Sequence, residues 1–87
     1  MALWAMATVF RSSRRYRVTV YSNDHRPAHV HALGKGLDAR YRLNCPDGPV
    51  ELWDFQGDWT LAHLNELGAE IADQLTECCK IWSEIHG

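Results

Sequence analysis

The chain alternates first and winds afterwards. Over residues 15–21, Tyr16, Val18 and Val20 fall on one side of an extended backbone, and Arg15, Arg17, Thr19 and Tyr21 fall on the other. That is the period of a strand with one buried face. Residues 8–10 read as a shorter strand ahead of a turn at Ser12 and Ser13. Asn23 and Asp24 stop the second run and Pro27 removes a backbone donor, so residues 22–27 form a loop before extended structure resumes at 29–32. Gly34, Lys35 and Gly36 mark a turn, after which Leu37, Ala39, Tyr41 and Leu43 alternate again. A Pro- and Gly-bearing loop at 45–49 leads to a last strand at 50–55. Its inward set is read as Glu51, Trp53 and Phe55, which hold the larger aromatics.

At Gly57 and Asp58 the period changes. Asp58 is suited to cap a helix and to sit at the positive end of its dipole. Leu61, Leu64, Gly68, Ile71, Leu75, Cys78, Trp82 and Ile85 then follow at spacings of three and four. At 1.5 Å per residue this is a helix about 40 Å long, with Glu66, Glu70, Asp73, Glu77 and Glu84 on its opposite face. The expected architecture is a single α+β domain over residues 1–87. In it an antiparallel three- to four-stranded sheet packs against one long C-terminal helix, and residues 1–5 form a loosely ordered leader.

Composition narrows this picture. Eighty-seven residues make one domain with a small core, and 46% hydrophobic against 23% charged residues excludes a disordered chain. The charge is asymmetric: residues 1–44 balance at +6 and residues 45–87 at −8. Either the two halves attract each other across one domain, or a basic sheet meets phosphate while an acidic helix meets a basic partner. Three cysteines, Cys45, Cys78 and Cys79, form no disulfide framework and no Cys-x-x-Cys zinc spacing, so reduced thiols and a cytoplasmic location are expected. The apolar start is too short for a signal peptide or a membrane span.

Candidate chemistry concentrates at the loop after the second strand, where His25, His29 and His31 fall within seven residues of one another beside Asp24. On a strand, His29 and His31 project to the same face, which can bring two imidazoles to one divalent metal, with Asp24 or His25 as a further ligand. The same three histidines could act as acid and base on a phosphodiester. Arg14, Arg15, Arg17, Arg40 and Arg42 are the candidate phosphate contacts. A purely structural role, with a histidine donating to Asp24 to pin the loop, is the third reading. Cys78 lies on the helical seam, where a thiol is packed and inert.

Tyr16-Arg17-Val18, Tyr21-Ser22-Asn23-Asp24-His25 and Pro27-Ala28-His29-Val30-His31, with Trp82 in the terminal helix, resemble the small bacterial proteins of the domain of unknown function 4160 family. The likeness spans residues 6–85. Ala28 stands where that family has a second proline, and Ala32 where an apolar β-branched residue is usual. The resemblance implies a small interaction module of toxin–antitoxin or mobile-element type, bacterial or phage-borne. Such a module would bind a protein partner or a second copy of itself, and nucleic acid through its arginines. Glu66, Glu70, Asp73, Glu77 and Trp82 are the expected partner contacts. Two alternatives stand beside it. One is a histidine-dependent ribonuclease or metal-dependent hydrolase; the other is an inhibitor whose acidic helix occupies a nucleic-acid site on another protein. No cofactor is fixed beyond a divalent metal at the histidine cluster.

Overall fold

The computed structural model describes residues 6–87; the leader expected at 1–5 lies outside the described residues. Five strands, β1 (Met6–Arg11), β2 (Arg17–Tyr21), β3 (His29–Gly34), β4 (Leu37–Arg42) and β5 (Glu51–Gln56), precede two helices, α1 (Leu61–Asp73) and α2 (Leu75–His86). The strands form one antiparallel sheet in chain order. This corrects the expectation of three to four strands and one long helix. All five strand-like runs pair, including the short first one, which reaches Arg11. The tight turn between β3 and β4 has Lys35 at φ 51° and Gly36 at φ 76°, the two positive angles that a two-residue hairpin of matching twist requires.

The core lies on one face of the sheet. Cross-strand register puts Phe10, Val18, Ala32, Ala39 and Phe55 in one row, and Val30, Tyr41 and Leu52 in another. Val18, Val20, Val30, Ala32, Ala39, Tyr41 and Leu43 are buried against Leu64, Leu67, Ile71, Cys78 and Trp82 of the helices. Each large aliphatic side chain sealed here contributes roughly 1.5–3 kcal/mol. Tyr41 keeps its hydroxyl satisfied by donating to the Leu64 carbonyl at 2.7 Å, and burial pushes its phenol up to about 12.

The helix breaks at Gln74 (φ −109°, ψ 20°), whose N–H bonds the Ile71 carbonyl only three residues back. The apolar period runs straight through this turn: Ile71 lies before it and Cys78 after it, both fully buried. A one-residue kink changes the direction of the axis without changing the spacing of the seam, so pattern alone could not show it. The helix also starts later than expected. Thr60, not Asp58, is the cap, its hydroxyl accepting from His63 N–H at 3.1 Å. Leu61, expected on the seam, is therefore 71% exposed, and Leu67 takes a core position instead.

Two further expectations are overturned. Cys45 and Cys79 form a disulfide, with their Cα atoms 5.9 Å apart and a separation of 34 positions in sequence. The odd cysteine is Cys78, buried beside its bonded neighbour. The inward face of β5 is not Glu51, Trp53 and Phe55. Arg40 pairs with Asp54 and Tyr41 with Leu52, so Trp53 is an extra residue bulged out of the ladder. Leu52 and Phe55 thereby share the helix-covered face, and Trp53 turns to the other.

Candidate metal centre

The face of the sheet away from the helices carries the chemistry. Register aligns Thr8, Thr19, His31, Arg40 and Asp54 in one row across the five strands, and puts His29 opposite Arg42. His29 and His31 share this face because they are two apart on β3, the central strand. Asp24 reaches them from the loop between β2 and β3, where its N–H turns back to the Tyr21 carbonyl at 3.3 Å. One carboxylate oxygen, Asp24 Oδ2, stands 3.3 Å from His29 Nε2 and 3.2 Å from His31 Nε2.

The protonation pattern at this meeting point follows from the partners. His29 Nδ1 lies 2.8 Å from the Pro27 carbonyl, which can only accept, so Nδ1 carries the proton. Burial, with only 3% of the residue exposed, holds the His29 pKa below its ordinary value and keeps the ring neutral. Its Nε2 therefore presents a lone pair to a carboxylate oxygen that presents another. Asp24 Oδ2 is buried and accepts no hydrogen bond. Two acceptors face each other, and a cation between them resolves the conflict.

The spacing suits a particular kind of cation. Four donors at about 2.0–2.2 Å around a tetrahedral zinc-type ion stand about 3.3 Å apart, and Asp24 Oδ2 lies 3.3 Å and 3.2 Å from the two imidazole nitrogens. The ligating atoms of Asp24, His29 and His31 all lie within 4.8 Å of one another. Two imidazoles and one carboxylate leave a fourth position open. Outer-shell support is present for one histidine: the Pro27 carbonyl fixes the His29 ring, while Asp38 Oδ1 stands 3.6 Å from His31 Nδ1, beyond hydrogen-bond length.

Four buried side-chain atoms lack hydrogen-bond partners among the described residues: Thr19 Oγ1, Asp24 Oδ2, Arg42 Nε and Trp82 Nε1. All four belong to neighbours of the histidine pair. Thr19 is the strand partner of His31 and Arg42 that of His29, while the Trp82 ring lies 5.3 Å from the His29 ring. Unsatisfied buried groups are few in a native fold, and such groups take ordered water or a ligand, so their gathering makes this the candidate site.

His29 is the deeper of the two histidines and His31 the more accessible one. The His29 ring is held between Trp82 and Trp53, the latter edge-on at 5.1 Å. His31 borders two shallow pockets, one with Tyr21, Asn23, Asp24 and Asp38, the other with Asp38, Arg40, Asp54 and Gln56. An ion held by this group would therefore be approached from solvent on the His31 side.

The remaining sequence candidates distribute unevenly. His25 is exposed and stands outside the group that Asp24, His29 and His31 form. Arg40 and Arg42 reach the site, their guanidinium groups over Trp53 at 4.5 Å and 4.8 Å. Arg40 is also paired through two hydrogen bonds with Asp54, which holds that carboxyl below its usual range. Arg14 is tied to Glu66 at 2.8 Å, while Glu70 accepts from both the N–H and the hydroxyl of Ser13. Those two acidic residues face the β1–β2 turn, which holds them by contacts within the chain; Asp73 and Glu77 remain exposed. Arg15 is exposed at the same turn and Arg17 half-buried on β2. Trp82 is 4% exposed and belongs to the core, so its ring is not presented to a partner.

Two contributors escaped the sequence reading. Trp53 was assigned inward because alternation does not register a bulge. Asp38 was passed over although it lies two residues before Arg40 on the same face, a period-two signal that could have found it. Comparison with known proteins leaves the geometry to speak for itself: no family model, no curated protein and no solved structure matches the chain.

Proposed function

We propose that the protein is a small metal-dependent hydrolase of phosphodiesters, of the ribonuclease class, centred on Asp24, His29 and His31. The observation that carries this reading is the neutral His29 Nε2 facing an unsatisfied Asp24 oxygen at the edge length of a tetrahedral zinc site. A bound divalent ion would supply Lewis acidity and an activated water at its open position. The chain's own residues supply the rest. Asp24 and His29 hold the ion, with His29 fixed by the Pro27 carbonyl and walled from water by two tryptophans. His31 would complete the set on the accessible side, with Asp38 Oδ1 standing 3.6 Å from its far nitrogen. Arg42, stacked on Trp53 beside His29, is the cation placed to meet a phosphate oxygen.

A second reading has its own support. Leu52, Phe55 and Leu61 are 41%, 45% and 71% exposed along β5 and the start of α1, beside a groove lined by Val50, Leu64 and Ala69. Such a strip favours a protein partner, as a toxin–antitoxin component would have. The two readings are compatible, since such a component can be an enzyme restrained by its partner.

The test is metal content of the purified protein, followed by cleavage of a single-stranded RNA oligomer with and without chelator. One equivalent of metal, lost in His29→Ala and His31→Ala variants that keep their circular dichroism, is expected, together with loss of cleavage in both. Equal metal in wild type and variants, or cleavage that survives both substitutions, would refute the proposal.

A further inference from the structure

A cleft of about 420 Å³ is lined by Arg26, Pro27, Asn44, Cys45, Cys79 and Trp82 among others. Two of these residues also support the metal centre. The Pro27 carbonyl fixes the His29 ring, and Trp82 packs its indole against it. The cleft therefore has the Cys45–Cys79 disulfide among its walls and the backing of a metal ligand among them too.

We propose that this disulfide is a thiol-exchange site, taking a dithiol as reductant, through which the redox state of the chain controls metal binding at Asp24, His29 and His31. The proposal rests on the metal-centre reading above. Cys79 sits three residues before Trp82, about one turn away on α2. Cys45 sits just beyond Leu43, whose N–H bonds the Ala28 carbonyl at 3.0 Å, next to Pro27. The bond thus joins the helix that carries Trp82 to the segment that braces Pro27. With it intact, the helix whose indole packs on the His29 ring and the segment beside the carbonyl that bonds its Nδ1 are tied to each other. Without it, the polar tie of α2 to the sheet at this end is the contact of His86 with the Tyr21 carbonyl.

The exchange balances simply. A thiolate of the dithiol attacks Sγ of Cys45, the exposed partner, the S–S bond breaks, and Cys79 leaves as a thiolate that takes a proton from water. The second thiol of the reductant then attacks its own sulfur in the mixed disulfide and releases the Cys45 thiol. The reductant becomes a cyclic disulfide, and the protein gains two electrons and two protons. Cys78 does not compete, because it is fully buried and burial pushes its thiol up to about 12.

The full chain is compared oxidised, reduced with dithiothreitol that is then removed without air, and as the Cys45→Ala/Cys79→Ala variant. Free thiols are counted without denaturant, Co²⁺ binding is titrated, and the indole N–H resonance of Trp82 is followed in metal-free protein. Two thiols released from folded protein, and a Co²⁺ affinity about 10-fold or more weaker in both thiol-reduced and variant forms, are expected, the usual effect of losing outer-shell support. Thiols that appear only in denaturant would overturn the exchange site. Equal Co²⁺ affinity in oxidised and reduced protein would overturn the coupling. If the variant fails to fold, reduced wild type decides alone. If oxidised protein binds no Co²⁺, the metal reading fails and control of metal binding falls with it, while the thiol count still decides the exchange site. An indole that does not move on reduction would end the coupling.

Discussion

Replacing Asp24 by asparagine should raise the stability of the metal-free protein and lower that of the metal-bound one. In metal-free protein the Asp24 carboxylate, 16% exposed at its side chain, faces the lone pair of His29 Nε2 at 3.3 Å. An asparagine amide placed the same way would donate to that nitrogen, while its oxygen would take the Oδ1 position, 3.4 Å from His31 Nε2. One opposed pair of acceptors becomes one hydrogen bond, a net gain of about 0.5–1.5 kcal/mol. In a domain of this size that raises Tm by roughly 4–8 °C per kcal/mol. With zinc the order should invert. Wild type gains about 2.7 kcal/mol when the free ion is at 100 times its Kd, and Asp24→Asn, with a weakened ligand set, gains far less. Thermal or urea melts of both proteins, with chelator and with zinc, would show the two stabilities cross. Should Asp24→Asn be the less stable protein in chelator, Asp24 and the histidines form a charged pair without metal, and the reasoning fails.

Two other outcomes follow from buried groups. His29 has its pKa lowered by burial, so below the ordinary value of 6.5 the unfolded chain takes up a proton that the folded ring refuses. The unfolded state then binds more protons, and metal-free protein should lose stability as pH falls below 6.5, with nothing lost above it. His29→Gln should flatten that decline in urea midpoints between pH 7.5 and 5.5, and equal declines would count against the assignment. Cys78 should resist iodoacetamide at pH 8 in folded, oxidised protein and take up one label in denaturant; labelling under native conditions would mean that α2 opens.

The parts of the fold that repeat were legible in sequence; the parts that interrupt a repeat were not. Alternation at Tyr16, Val18 and Val20 and at Ala39, Tyr41 and Leu43 named side chains that are all buried. The His29–His31 spacing placed two imidazoles on one face because strand geometry allows nothing else. Gln74, by contrast, turns the chain without disturbing the seam, and Trp53 reverses its face through one extra residue. The Cys45–Cys79 bond eluded the reading for a different reason. It joins a loop to a helix across 34 residues, so only the folded sheet brings the two thiols together. Of the candidate site, the histidine pair and its aspartate were visible, but the tautomer of His29 was not, because it depends on a carbonyl that the loop alone positions.

The bulge at Trp53 has a counterpart. On β1, Thr8 pairs with Thr19 and Phe10 with Val18, which leaves Val9 without a partner. The two edges of the sheet, β1 and β5, therefore each carry one surplus residue, and the three inner strands carry none. A flat border strand invites another chain to continue the ladder, and an irregular one discourages it. Both borders of this sheet are spoiled as templates for stacking copy upon copy. On β5 the same irregularity that guards against runaway assembly also delivers an indole to His29. Deleting Trp53 to regularise that strand would thus strip a wall from the histidine and leave a smoother, stickier rim.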